Sequence, residues 1–259
     1  MRDKESFINS RNKSNRDYEL WNQKNDYKDD IENNYYKAYD KRYEQVYETK
    51  MLWSAKEYTP DVINTIELLK IKKRDSILDL GCGEGRDAIY LLSNNYSVKA
   101  VDYSKNVINK CNELSNYKYT NKFKQFDLIT DKLEEQFDFI YSIAVLHMFV
   151  LEKHRDRYLK FLYDHLNDNG KALICILGDG VHEYCSNIKD AFEDSKRTIL
   201  NNMTDINIAA TSCRIVNWEF LENEIQKNKL LIEKKWISED IPEFKKSMCV
   251  IVSKNKKGE

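Results

Sequence analysis

Several features are scarce in this 259-residue sequence, and each scarcity removes a class of protein. Neither sign of charge is in excess: Lys and Arg number 42 against 43 Asp and Glu. A surface built to bind nucleic acid carries a basic surplus, so this balance weighs against such a partner. No apolar run reaches the ~18 residues that a membrane-crossing helix needs. The polar start, Met1–Lys13, lacks the hydrophobic stretch of a secretory signal. The expectation is a soluble, cytoplasmic protein with no membrane contact. The six cysteines (Cys82, Cys111, Cys175, Cys185, Cys213, Cys249) form no C-x-x-C pair. Several lie in apolar runs, so they read as reduced core residues rather than a disulfide framework or zinc site, and no metal is expected. Glycine is scarce too, but three of the seven fall at alternate positions in one short stretch.

That stretch runs Ser76-Ile-Leu-Asp-Leu-Gly-Cys-Gly-Glu-Gly-Arg86. It opens as an apolar strand and ends in Gly81, Gly83 and Gly85, and a helical pattern with Ala88, Ile89, Leu91 and Leu92 on one face follows. Strand, glycine turn and helix in that order form a nucleotide-binding turn. Without a Cβ the backbone can take φ > 0 and a ligand can lie against it, with the first amides of the helix aimed at that ligand. A dinucleotide fingerprint, G-x-G-x-x-G, would need its third glycine where Arg86 stands. Here that glycine comes one place early, and Asp79 precedes the first by two residues.

Asp-x-Gly-x-Gly-x-Gly resembles the first motif of the class I S-adenosylmethionine-dependent methyltransferases, and the resemblance extends from about Thr59 to Lys254. Among them the core Leu-Asp-Leu-Gly-Cys-Gly-Glu-Gly-Arg is similar to the tellurite-resistance-like and other small-molecule methyltransferases. The family implies an α/β fold, doubly wound, with a mostly parallel seven-stranded sheet, helices on both faces and an antiparallel C-terminal strand. It implies S-adenosyl-L-methionine as cofactor and a small-molecule methyl acceptor; a monomer or homodimer is expected. Rival readings are an NAD or nucleotide-sugar enzyme, an RNA or protein methyltransferase, and a cofactor-binding module without catalysis.

Asp79, Gly81, Cys82, Gly83, Gly85 and Arg86 are the motif's candidate cofactor residues. The strand Tyr96–Asp102 ends in an acid at the spacing where a carboxylate accepts both hydroxyls of a ribose. Asp102 can equally cap the helix over Val107–Leu114. Tyr103 beside it is placed to lie against an adenine. In the third strand and its loop (Phe123–Leu128), the resemblance gives Asp127 the adenine amino group and Leu128 the ring face. Ser142, leaving the fourth strand, marks a backbone carbonyl for the cofactor's ammonium group. Trp53, with Lys50 behind it, stands either as a core plug or as a wall of the cofactor site. His147 is read as a general base or as a structural cap.

Residues 1–58 read as a polar and aromatic helical extension ahead of a methyltransferase domain spanning 59–259. Tyr35, Tyr36, Tyr39, Tyr43, Val46 and Tyr47 recur at three- and four-residue steps. This stripe either packs the helix onto the domain or forms a lid, with Tyr47 then a catalytic candidate. Thr59 and Pro60 signal a helix start, as does Asn217. Residues 178–215 read as a substrate-side insertion with helical patches at Ile188–Leu200, and His182, Glu183 and Tyr184 are expected near the pocket mouth. Leu230–Ser238 and Ser247–Lys254 read as paired strands about a turn with Pro242, the second apolar enough for the sheet interior.

Overall fold

The computed structural model describes residues 30–54, 57–199, 204–241 and 244–255. The polar lead-in before residue 30 and the turn at Pro242 lie outside the described residues. One seven-stranded sheet organises the chain. Its strands are β1 (Ser76–Leu80), β2 (Ser97–Asp102), β3 (Phe123–Gln125), β4 (Phe137–Ile143), β5 (Leu166–Leu177), β10 (Leu230–Ser238) and β11 (Ser247–Lys254). They lie in the order β10-β11-β5-β4-β1-β2-β3. From β3 to β5 neighbouring strands are parallel, whereas β11 runs antiparallel to both β5 and β10. The apolar run Met248–Val252 therefore sits in the sheet interior, as its composition predicts.

The pleat sends alternate residues to two separate cores. Leu78, Leu80, Ile140, Ile174, Ile176 and Val250 face one layer. That layer holds helices α6 (Glu152–His165) and α7 (Trp218–Lys227). Ile77, Phe139, Leu173, Cys175, Cys249 and Ile251 face the other. It holds α3 (Pro60–Leu69), α4 (Arg86–Ser93) and α5 (Lys105–Leu114). The doubly wound sheet with helices on both faces is thus present. Among the described residues no helix is long and apolar enough to cross a membrane.

Two local readings need correction. Thr59 does precede α3, but its hydroxyl makes no cap bond. Its amide and hydroxyl instead donate to the Asp87 carboxylate at 2.6 and 2.9 Å. The patch expected to be helical at Ile188–Leu200 is a single 3₁₀ turn, Ile188–Asp190, followed by strand β7 (Asp194–Ile199). β7 pairs antiparallel with β8 (Thr204–Ala209). The short strands β6 (Tyr184–Cys185) and β9 (Arg214–Ile215) pair separately.

Ahead of α3 in the chain come α1 (Ile31–Asn34), a 3₁₀ turn over Tyr35–Lys37, and α2 (Ala38–Glu48). α2 docks on the β7–β8 hairpin through polar contacts. Lys41 Nζ donates to Phe192 O at 2.8 Å and to Asp194 at 3.0 Å. Gln45 accepts from Ala209 N at 2.7 Å and donates to Asp194 at 3.0 Å.

Candidate functional site

A cavity of about 430 Å³ opens over the carboxyl ends of β1, β2 and β4. That position lies where chain connections leave in opposite directions, between β1 and β4, which is where ligands gather in open α/β sheets. The glycine turn makes its floor. Gly81 has φ +80°, and a Cβ there would come within 2.3 Å of Val145 Cγ2. Its absence lets β1 and the loop after β4 approach closely enough to share one wall. Asp79, Gly81, Cys82, Gly83 and Arg86 all line the cavity.

Gly85 does not line it. A Cβ on this residue would meet Cys111 Sγ at 2.9 Å and Phe123 at 3.1 Å, so its role is to seat α4 against α5 and β3. Ser142 is also turned away: it is buried, and its hydroxyl donates to Leu80 O at 2.9 Å. The chain after it, Ile143–Val145, reaches the cavity instead, bent by Ala144 at φ +63°.

Asp102 is held at two points. Its Oδ2 accepts from Gly83 N at 3.0 Å and its Oδ1 from Ser104 N at 2.9 Å. Ser104, not Asp102, caps α5, accepting from Val107 N. Burial lifts the Asp102 pKa to about 6, and the two amides pull against that rise. Asp127 accepts from both sides: Tyr36 OH donates to its two oxygens at 3.2 and 3.0 Å, and Ile129 N donates to Oδ1 at 2.9 Å. Tyr103 and Leu128 stand on the same wall. Asp79, 3 % exposed, is driven well above the usual carboxylate range by burial and next by the nearby Asp87.

The tyrosine stripe divides between the cavity wall and the packed interior. Tyr36, Tyr39 and Tyr43 line the cavity. Tyr35 is fully buried elsewhere, its hydroxyl accepting from Val150 N at 3.0 Å and 3.0 Å from His154 Nδ1. Val46 packs on Ile208, and Tyr47 joins that cluster outside the cavity wall. The i+4 step from Tyr43 carries Tyr47 past the edge of the site, and burial pushes its phenol pKa up. His182, Glu183 and Tyr184 are exposed and outside the lining, as is Lys50.

Trp53 lines the cavity and also packs against the Val46–Ile208 cluster. Glu84 holds it there, accepting from Trp53 N at 2.9 Å, from Ser54 N at 2.9 Å and from Ser54 Oγ at 2.6 Å. Glu84 was missed among the candidates, although an acid inside a glycine turn was the available signal. His147 lines the cavity with Leu177 N donating to its Nδ1 at 3.4 Å. Its other nitrogen, Nε2, therefore carries the proton. Burial first, then the charges of Arg155 and Arg42, lower its pKa to about 3. The ring is a neutral donor at working pH and a weak base.

The sequence model of the tellurite resistance protein TehB family matches residues 35–209. The chain belongs to the TehB family. That match takes in the glycine turn, Asp102, Asp127, α2 and the β7–β8 hairpin, so the TehB segment contains nearly the whole cavity wall. A probable S-adenosyl-L-methionine-dependent methyltransferase TehB of Haemophilus influenzae is 31% identical over 123 residues, covering 46% of this chain and 43% of the relative. The chain therefore spans less than half the length of that relative. Among solved structures, a S-adenosylmethionine-dependent methyltransferase from Clostridium acetobutylicum superposes with a TM-score of 0.58 at 16% identity, covering 82% of this chain and 95% of that one. The Burkholderia thailandensis 1,6-didemethyltoxoflavin-N1-methyltransferase superposes with a TM-score of 0.56 at 17% identity, covering 76% and 77%. At these identities the likeness concerns the fold.

Proposed function

We propose that this TehB family member is a S-adenosylmethionine-dependent methyltransferase acting on a small-molecule nucleophile. The observation that carries this reading is the Asp102 carboxylate. Backbone amides, those of Gly83 and Ser104 among them, fix this carboxylate on the cavity wall, and its two oxygens offer more acceptor sites than those two amides use. A carboxylate held in that way suits the paired hydroxyls of a ribose. The residues around it fit the rest of the cofactor: bare backbone at Gly81 and Gly83, a carboxylate at Asp127 and an apolar side chain at Leu128.

The cofactor, when bound, supplies a methyl group already activated on a sulfonium. The chain's own work is then positional. Asp102 fixes the sugar, the glycine turn admits the tail against the main chain, and Asp127 with Tyr36 holds the base end. α2, Trp53 and the hairpin roof the cavity, which lowers the water content around a charge that disperses during transfer. The acceptor atom must lie in line with the methyl carbon at ~3–3.5 Å, and no covalent bond to the enzyme forms. His147 orients by donating from Nε2 and takes no proton. The six free cysteines suit a reducing, cytoplasmic setting.

A methyl-transfer screen that reads S-adenosylhomocysteine release tests the proposal, alongside calorimetric binding of S-adenosylhomocysteine. The unsubstituted protein binds, and Asp102→Ala loses about 100-fold in affinity, as expected for two hydrogen bonds to a charged group at ~1.5 kcal/mol each. Unchanged affinity in Asp102→Ala sinks the ribose assignment.

A further inference from the structure

Three arginines line the cavity, and of these Arg42 and Arg197 have no carboxylate partner among the described residues. Arg42 on α2 is only 7 % exposed. Its Nε and Nη2 donate to Ala209 O at 3.0 and 2.9 Å, and Nη2 also donates to Ala210 O. These are carbonyl partners, which orient the group without cancelling its charge. The guanidinium carbon lies 5.1 Å from the Tyr39 ring centroid and 5.0 Å from that of Trp53. Arg197 on β7 reaches the same cavity from an exposed position, and among the described residues its side chain makes no ion pair or hydrogen bond. Its charge is felt at Arg42 and at Tyr39, so the two cations share one region of the wall.

Of the five acids on the cavity wall four hold neighbouring groups of the protein, and burial raises the fifth, Asp79, well above the usual carboxylate range. Glu84 holds Trp53 and Ser54, Asp87 holds Thr59, Asp102 holds Gly83 and Ser104, and Asp127 holds Tyr36. Arg42 is a buried cation without an anionic partner, which is costly, and the exposed Arg197 beside it adds repulsion. An anionic ligand group relieves both effects at once. Apolar and aromatic side chains make up much of the remaining wall, among them Tyr43, Met148 and Phe244. A small inorganic oxyanion would match the charge and leave those surfaces uncovered, whereas a flat organic body covers them.

We infer that the methyl acceptor is an organic anion, with a flat conjugated body against the aromatic wall and an acid group recognised by Arg197 and Arg42. This rests on the proposed methyltransferase reading and adds the substrate class. Arg197 and Arg42 are specificity-determining residues in this assignment. The same charge chemistry has a second source, the carboxylate of the cofactor's own amino-acid tail, and the experiment separates the two.

The full chain is loaded with S-adenosylhomocysteine and titrated calorimetrically with 4-hydroxybenzoate, 4-aminobenzoate and indole-3-acetate, each beside its uncharged carboxamide. Turnover of the same compounds, and of tellurite, is read as S-adenosylhomocysteine release. The expected result is at least one acid bound about tenfold or more tightly than its carboxamide. Arg197→Gln removes most of that preference, raising KM for the acid with little change in kcat, and Arg197→Lys restores part of it. Binding of S-adenosylhomocysteine to the variants stays as in the unsubstituted protein. Acids bound no better than carboxamides, or tellurite alone turned over, overturns the inference. So does Arg197→Gln weakening S-adenosylhomocysteine while sparing the acceptor, which assigns the cations to the cofactor tail. If the unsubstituted protein fails to bind S-adenosylhomocysteine at all, the methyltransferase reading itself has failed.

Discussion

Asp102 and Gly81 show how single positions set the properties of the cavity floor. Burial lifts the Asp102 pKa to about 6, and a proton on either oxygen removes one of the acceptor positions a diol would use. The sign follows directly: a ligand that needs the ionised carboxylate binds fully above that pKa and more weakly below it. S-adenosylhomocysteine affinity measured calorimetrically is expected to be flat from pH 7 to 8. Below about pH 6 it falls by up to roughly tenfold per pH unit. Asp102→Asn, which has no proton to gain, is expected to bind weakly with no such slope. At Gly81 the constraint is steric. An alanine there must hold φ near +80° and push Val145 aside. The expected cost is about 2–5 kcal/mol, combining left-handed backbone strain with overpacking. Urea unfolding of Gly81→Ala checks it; a midpoint equal to the unsubstituted protein's refutes the close approach.

Among the elements, α2 and the β7–β8 hairpin depend on each other. The outer strand β7 is polar, and β8 supplies only Ile206 and Ile208 to a small cluster with Val46. So little apolar surface leaves the docking to Lys41, Arg42 and Gln45. Gln45→Ala removes the acceptor of Ala209 N and a donor to Asp194. Faster amide hydrogen exchange is expected in residues 204–209, with exchange in β1, β4 and β5 unchanged. Global stability should fall by only about 1 kcal/mol. Equal protection of the hairpin in both proteins would show that the polar clamp does not hold it.

For the molecule as a whole, one buried ion pair joins the two helices of one layer. Arg155 on α6, 1 % exposed, donates from Nε to Glu224 on α7 at 2.8 Å, and its Nη1 donates to Leu146 O and Phe149 O at 3.0 and 3.2 Å. It thereby ties α7 to the loop that carries His147. Replacing both residues by apolar ones can leave stability unaffected, but removing one partner strands a buried charge. Glu224→Ala is expected to lose about 3–5 kcal/mol in urea unfolding. A loss below about 1 kcal/mol would mean that water reaches Arg155 in the folded protein.

What the chain's letters determine by themselves is local and periodic. The glycine turn is legible because left-handed backbone and close approach admit few residue types, and the strands because alternation with a period of two survives in any context. The apolar run Met248–Val252 placed β11 inside the sheet for the same reason: such a strand needs cover on both faces. Asp102 stood out as an acid at a strand end about twenty residues past the glycine turn, where ligands meet the sheet, whereas Asp127 was marked only by the family resemblance. Tertiary structure alone decided which residues of the tyrosine stripe face the cavity, since a helical period does not say where a neighbouring element stops. It alone showed Gly85 and Ser142 turned away, through packing with Cys111 and a bond to Leu80 O. It alone brought Arg42 and Arg197 into one pocket, because they lie on elements far apart in the chain whose docking is polar. Hydrogen bonds of that kind leave no periodic trace in a sequence, whereas apolar burial does.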